Sequence, residues 1–179
     1  MAANIAVQNG LSLVEILITV LILAIGSLGI ASMQIAGLKY SSGSYARSQA
    51  THLADDMASR LKSNREEALD LQTNGSFGAS PAYVINSFSS SYTTTENCIT
   101  GTCTPAELTS FDKNAWLADI ARAIPSGKGR VTFTDSINAD GVTERMYSIE
   151  IQWRQTATSS DADGAAADDI KSIAYRISI

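Results

Sequence analysis

Residues 11–38, LSLVEILITVLILAIGSLGIASMQIAGL, contain a single charged side chain, that of Glu15. Lys39 is the next charged residue along the chain. At ~1.5 Å per residue, a helix over this stretch would be roughly 42 Å long, and ~20 apolar residues are enough to cross a bilayer. The stretch therefore predicts a membrane-length helix that is apolar on every side.

A secretory signal fits this segment poorly. Such signals have a basic start, an apolar region of ~7–15 residues and a small-residue cleavage site, whereas residues 1–10 contain no Lys or Arg and the apolar run is much longer. A plain signal anchor is the simplest alternative interpretation of these residues.

The helical pattern continues beyond the apolar run. No proline occurs before Pro81, and charged residues separate the apolar ones, as on the exposed face of an amphipathic helix. We therefore predict one helix from about Leu11 to Leu71, apolar in its first half and amphipathic in its second. The apolar residues at three- and four-residue spacing are Ala46, Ala50, Leu53, Ala54, Met57, Ala58, Leu61 and Ala68.

A second, shorter helix is predicted to begin after Thr104. This threonine can serve as N-cap, Pro105 suits the first helical position, and Glu107 can close a capping box. Pro125 marks the end of the helix. The residues predicted to form its buried stripe are Leu108, Phe111, Ala115, Trp116, Ile120 and Ile124.

The rest of the chain favours strands. Residues 72–104 form a polar connection with a candidate short strand at 82–85, and residues 130–134, 146–154 and 171–179 show the period-two alternation of strands. The predicted fold class is α+β: a long N-terminal helix packed on an antiparallel sheet of about three or four strands, with one further short helix.

Composition argues against several functions. The 179-residue chain has a net charge of −5 and no Lys/Arg cluster, so we expect no nucleic-acid partner. His52 is the only histidine, which argues against Ser/His or Cys/His catalysis and against a zinc site. We predict no enzymatic activity, no catalytic residues, no cofactor and no metal, and interpret the acidic stretch 156–169 as a solvated loop rather than a calcium loop.

Glu15 needs an explanation, because a carboxylate at the centre of a membrane helix costs roughly 2.5–3.5 kcal/mol. Near the end of the helix, a tolerated interfacial charge is one interpretation. If the chain were cut after Gly10, the new amine of Leu11 could instead pair with Glu15. Whether the amine would belong to the same chain or to a neighbour is left open.

The segment Gln8-Asn9-Gly10, followed by residues 11–17, resembles the class III leader of type IV prepilins. The resemblance implies that prepilin peptidase cleaves between Gly10 and Leu11 and N-methylates Leu11. It also implies that the apolar helix stays in the inner membrane until assembly, when Glu15 pairs with the terminal amine of an adjacent subunit in the filament. The chain would then comprise a leader (1–10), a transmembrane and filament-core helix (11–38) and a head (39–179) that includes the amphipathic half of the long helix.

Later segments, including 47–65, 103–108 and 151–154, are similar to minor pilins of the PilV type. This resemblance implies the type IV pilin fold and a place in the priming or tip complex, which initiates pilus assembly and supports adhesion or twitching motility. The implied partners are other minor pilins, pilin subunits and, at the tip, a large adhesin. The head would be periplasmic before assembly and extracellular, on the pilus, afterwards.

Two alternatives share some of these features. A minor pseudopilin of a type II secretion system has the same leader and helix, and a membrane-anchored periplasmic protein of another function would need only the helix. Cys98 and Cys103 lie in a polar stretch; an exported context favours a disulfide between them, although the sequence does not prove the bond.

Overall fold

The computed structural model of the chain describes residues 12–137, 139–155 and 169–179. The chain divides between Ser42 and Gly43 into two units. The described part of the first is helical, and that of the second has mixed α and β structure. The helices and strands of the described residues are α1 (Leu13–Ser63), α2 (Arg65–Leu69), β1 (Ile85–Ser89), α3 (Pro105–Ala123), β2 (Lys128–Ile137), β3 (Thr143–Gln155) and β4 (Asp169–Ser178).

The four strands form one antiparallel sheet in the order β1-β2-β3-β4. Pairing between β2 and β3 runs without interruption from Lys128↔Gln152 to Ile137↔Thr143. Along β3, Tyr147, Ile149 and Ile151 are fully buried, while Ser148 and Glu150 between them are only partly buried. The predicted α+β fold is therefore confirmed, with four strands and a long N-terminal helix.

The hydrophobic core combines the second half of α1 with α3 and the inner face of the sheet. Trp116 of α3 is fully buried, and its indole N–H donates to the carbonyl oxygen of Leu53 in α1 at 2.8 Å. Gly129 of β2 lies against the same ring, because a Cβ at this position would be 2.4 Å from a ring carbon of Trp116. A glycine is therefore required here for the sheet to approach α3.

The prediction of one helix to Leu71 is wrong at its end. The helix α1 stops at Ser63, and Asn64 has non-helical angles (φ −115°, ψ 56°). The side-chain amide of Asn64 donates to the carbonyl oxygen of Pro105 at 2.9 Å and to Thr109 Oγ1 at 3.1 Å. These bonds to a distant segment compensate for the interrupted helix. The helix resumes as α2, which ends at Leu69 and is capped by Asp70 in the left-handed region (φ 51°).

Two further predictions need correction. The strand expected at 82–85 begins only at Ile85, and Tyr83 instead places its fully buried ring in the core. In α3 the predicted stripe is confirmed at Trp116, Ile120 and Ile124, which are fully buried. It also includes Asp112 and Lys113, which are buried, whereas Phe111 is only partly buried. The capping box at Thr104 is formed as predicted.

Candidate functional site

The first half of α1 contains residues 13–38, which are called the apolar segment from here on. Each of its side chains is exposed, and its most apolar window has a mean hydropathy of 2.5 with no part buried. The helix α1 is thus long and apolar enough to cross a membrane. An exposed apolar surface of this extent requires lipid or other protein around it.

Two hydroxyl side chains of the apolar segment bond to the backbone of the helix itself. The hydroxyl of Thr19 donates to the carbonyl oxygen of Ile16 at 2.8 Å, and that of Ser27 donates to Leu23 at 2.7 Å. Because these hydroxyls bond to the backbone of their own helix, neither would need a partner in hydrocarbon.

Glu15 lies in the first turn of α1. Its backbone N–H donates to the carbonyl oxygen of Ser12 at 3.0 Å, and a carboxylate in this position is favoured by the positive end of the helix dipole. Its side chain is exposed and has no ion-pair partner among the described residues. The predicted cleavage between Gly10 and Leu11, and the methylation of Leu11, lie outside these residues.

A polar cluster joins the end of α1 to α3. Arg60 contacts Asp56 and Asp112, each at 2.8 Å, and the hydroxyl of Tyr83 donates to the other oxygen of Asp112 at 2.6 Å. Burial raises the pKa of Tyr83, and its bond to Asp112 adds to the rise. Burial opposes the charge of Arg60, but the two aspartates outweigh it and raise the pKa of the guanidinium.

A second polar cluster surrounds Arg145, whose side chain is fully buried. Its guanidinium donates to both carboxylate oxygens of Asp135 and to the carbonyl oxygens of Leu69 and Gly78, all at 2.7 Å. It also lies over the ring of Phe133, 4.5 Å from the centroid. This one side chain therefore ties the β2–β3 hairpin to the end of α2 and to the loop that follows it.

Sequence reasoning missed Arg145, although a signal was available. The predicted strand began at Met146, and extending the alternation by one residue places Arg145 on the same face as Tyr147. A charge on the apolar face of a strand indicates a buried pair, so Arg145 could have been recognised.

The Asp135–Arg145 pair predicts a pH dependence of stability. The bond to Arg145 lowers the pKa of Asp135, so this carboxylate stabilises the fold above its unfolded pKa of about 4, and the stabilisation is lost as the pH falls through the lower folded value. We expect the free energy of unfolding from urea titrations to fall between pH 5 and pH 3, and to fall less in Asp135→Asn.

The control for this experiment is Asp119→Asn, which removes one negative charge from an exposed pair with Arg122. An equal acid dependence in wild type and Asp135→Asn would contradict the role assigned to Asp135.

Cys98 and Cys103 form a disulfide, with their Cα atoms 5.6 Å apart. The bond closes a surface loop immediately before Thr104, the N-cap of α3. Ile99 within this loop is 81% exposed. The loop is therefore a covalently constrained surface that presents an apolar side chain next to a capped helix.

No protein-family model, curated protein or solved structure matches the chain. Among the described residues no group of three or more His, Cys, Asp or Glu could hold a metal ion. The acidic stretch interpreted as a solvated loop lies outside the described residues, apart from Asp169, with which β4 begins.

Proposed function

We propose that this chain is a minor pilin of a type IV pilus, made as a membrane-anchored precursor and assembled into a priming or tip complex. One observation carries the proposal: a carboxylate, Glu15, occupies the first turn of α1, whose apolar segment is exposed throughout and follows Gly10 and Leu11 in the sequence. The protein would act by assembly rather than by catalysis.

The apolar segment has two environments in this proposal. Before assembly it lies in the inner membrane, and afterwards it lies in a bundle of like helices in the filament. The transfer is feasible because lipid tails and apolar side chains are similar surroundings for such a helix. Gly26 and Gly29 have no side chain, so the backbone of a neighbouring helix could approach closely at these positions.

Glu15 sets the register of the subunit in this proposal. A lone carboxylate in an apolar environment is costly, whereas one paired with an amine costs far less. Cleavage after Gly10 would supply the amine at Leu11 of an adjacent subunit. Each helix would then be held where its carboxylate meets the terminus of its neighbour.

The head, with its own hydrophobic core and disulfide loop, would contact other minor pilins, pilin subunits and a large tip adhesin. It would be periplasmic before assembly and extracellular afterwards.

The test is the N-terminal mass of the protein extracted from membranes, with and without active prepilin peptidase. We expect a chain that begins with methylated Leu11 only when the peptidase is active. A chain that still begins at Met1 or Ala2 in its presence would refute the pilin assignment.

A deletion strain then separates the pilus from a secretion pseudopilus. Loss of pili with normal secretion is expected, whereas a secretion defect with normal pili would instead identify a type II pseudopilin.

A further inference from the structure

The strand β4 forms one edge of the sheet, because it pairs with β3 and with no other strand among the described residues. Its ten residues pair with β3 in a continuous register from Gln155↔Asp169 to Met146↔Ser178, and none of them is proline. The opposite edge, β1, has only five residues and an irregular register. Short or bulged edges discourage further pairing, whereas a long and regular edge can accept another strand.

One hydrogen bond just beyond the end of β4 identifies the backbone groups that point away from β3. The N–H of Ile179 donates to the carbonyl oxygen of Arg145 at 3.2 Å, and these two residues are the next pair in the β3–β4 register. In an antiparallel ladder, hydrogen-bonded pairs alternate with pairs whose N–H and C=O groups point outwards. The residues of β4 with outward groups are therefore Ile170, Ser172, Ala174, Arg176 and Ser178.

These five outward residues are all exposed. Their outward backbone groups have no hydrogen-bond partner among the described residues. On the core side of β4, Ile173 and Tyr175 pack against the hydrophobic core but are only partly buried. The edge therefore presents a row of unpaired backbone groups beside apolar side chains that a further strand could cover.

A second copy of β4 fits this edge in a register that uses all five outward residues. If two copies meet antiparallel with Ala174 facing itself, Ser172 of each lies opposite Arg176 of the other, and Ile170 lies opposite Ser178. Each outward N–H then meets an outward C=O of the other copy. Any other register leaves at least one of the five positions without a partner.

The side chains are compatible with this register. Arg176 faces the hydroxyl of Ser172, and no charged residue of β4 faces another charged residue. The two copies of Arg176 would be about 14 Å apart at ~3.4 Å per residue, which is beyond the Debye length of ~10 Å at 0.1 M salt. On the core side, Ile173 of each copy would lie opposite Tyr175 of the other, a favourable pair of a β-branched and an aromatic side chain.

We propose that the head forms a two-fold symmetric dimer in which β4 pairs antiparallel with β4 of a second copy, so that the two four-stranded sheets become continuous. The interface is isologous, because both copies use the same strand, and its affinity comes chiefly from backbone hydrogen bonds. The dimer goes beyond the proposed pilin function, since it depends neither on cleavage after Gly10 nor on Glu15.

Amide hydrogen exchange tests the dimer residue by residue. In ¹⁵N-labelled full-length protein in detergent micelles, we expect exchange at Ser172, Ala174 and Arg176 to slow about threefold or more between roughly 50 μM and roughly 1 mM protein, by mass action. The amides of Ile173 and Tyr175 bond to β3, so they should be protected at both concentrations and are the internal control. Association of the apolar segments in micelles would not protect the edge of β4.

Three substitutions of Ala174 test the register. Ala174→Lys places two ammonium groups opposite each other on the two-fold axis, and Ala174→Pro removes an outward N–H that β3 does not use. Both should remove the protection at Ser172 and Arg176, whereas Ala174→Ser, the matched control, should keep it. Because the side chain of residue 174 is exposed, Ala174→Lys should have the wild-type thermal midpoint in dilute solution.

Two results would overturn the proposal. One is rapid exchange at Ser172, Ala174 and Arg176 in the wild type at both concentrations. The other is protection of Ser172 and Arg176 that survives in both Ala174→Lys and Ala174→Pro, because β4 of a second copy would then not be what covers the edge. Neither result bears on the pilin assignment, which the N-terminal mass tests separately.

Discussion

Replacing Arg145 with methionine should lower the free energy of unfolding by about 2–4 kcal/mol, because two carbonyl oxygens would lose hydrogen bonds at about 1–3 kcal/mol each, while Asp135, whose side chain is 37% exposed, would be hydrated by water. The guanidinium is fully buried and makes four hydrogen bonds. Methionine would fill similar space but could not donate to the carbonyl oxygens of Leu69 and Gly78, which would lose these bonds. Urea denaturation followed by circular dichroism measures the change.

Arg122→Met is the matched control. The side chain of Arg122 is 77% exposed and pairs with Asp119 on the surface of α3, so its loss should cost less than about 1 kcal/mol. Equal destabilisation by the two substitutions would show that the burial of Arg145 does not increase its contribution to the free energy of unfolding. Adding Asp135→Asn to Arg145→Met should recover part of the loss, because the carboxylate would no longer lack its partner.

Under the proposed pilin function, Glu15→Gln should reduce the fraction of the protein found in sheared pili at least tenfold, which corresponds to about 1.4 kcal/mol or more of lost pairing energy. Glutamine has nearly the shape of glutamate but cannot form an ion pair with the amine of Leu11. The head should stay folded, because every residue of the buried core lies at or beyond Ala46. Immunoblots of the pilus and membrane fractions measure the ratio.

Two variants separate the charge of Glu15 from its shape and position. Glu15→Asp keeps the charge and should retain more incorporation than Glu15→Gln. Thr19→Val changes a polar residue of the same segment whose hydroxyl bonds only to its own helix, so incorporation should be near normal. Wild-type incorporation of Glu15→Gln would remove the basis for the register role.

Several features of the fold were predictable because their cause is local. The capping box of α3 needs only Thr104 and Glu107, three residues apart. The buried face of β3 follows from alternation over Tyr147, Ile149 and Ile151. The disulfide between Cys98 and Cys103 closes a short loop, so the two thiols are never far apart.

Other features escaped prediction because their cause lies far along the chain. Asn64 interrupts the helix while bonding to Pro105, 41 residues away, and its position within a regular apolar pattern gave no sign of this. The buried stripe of α3 includes Asp112 because Arg60 and Tyr83 reach it from other segments. Only the folded structure could bring these groups together.

The same division holds for the functional features. The composition of residues 11–38 by itself predicts a helix that is apolar on every side and therefore needs lipid or protein around it. The residue order alone places Glu15 near the start of this helix. Tertiary structure decided the burial of Arg145 and the contacts of Asp112 with Arg60 and Tyr83. The physical reason is sequence separation: composition and periodicity act within a few residues, whereas a buried polar cluster forms only when distant parts of the chain meet.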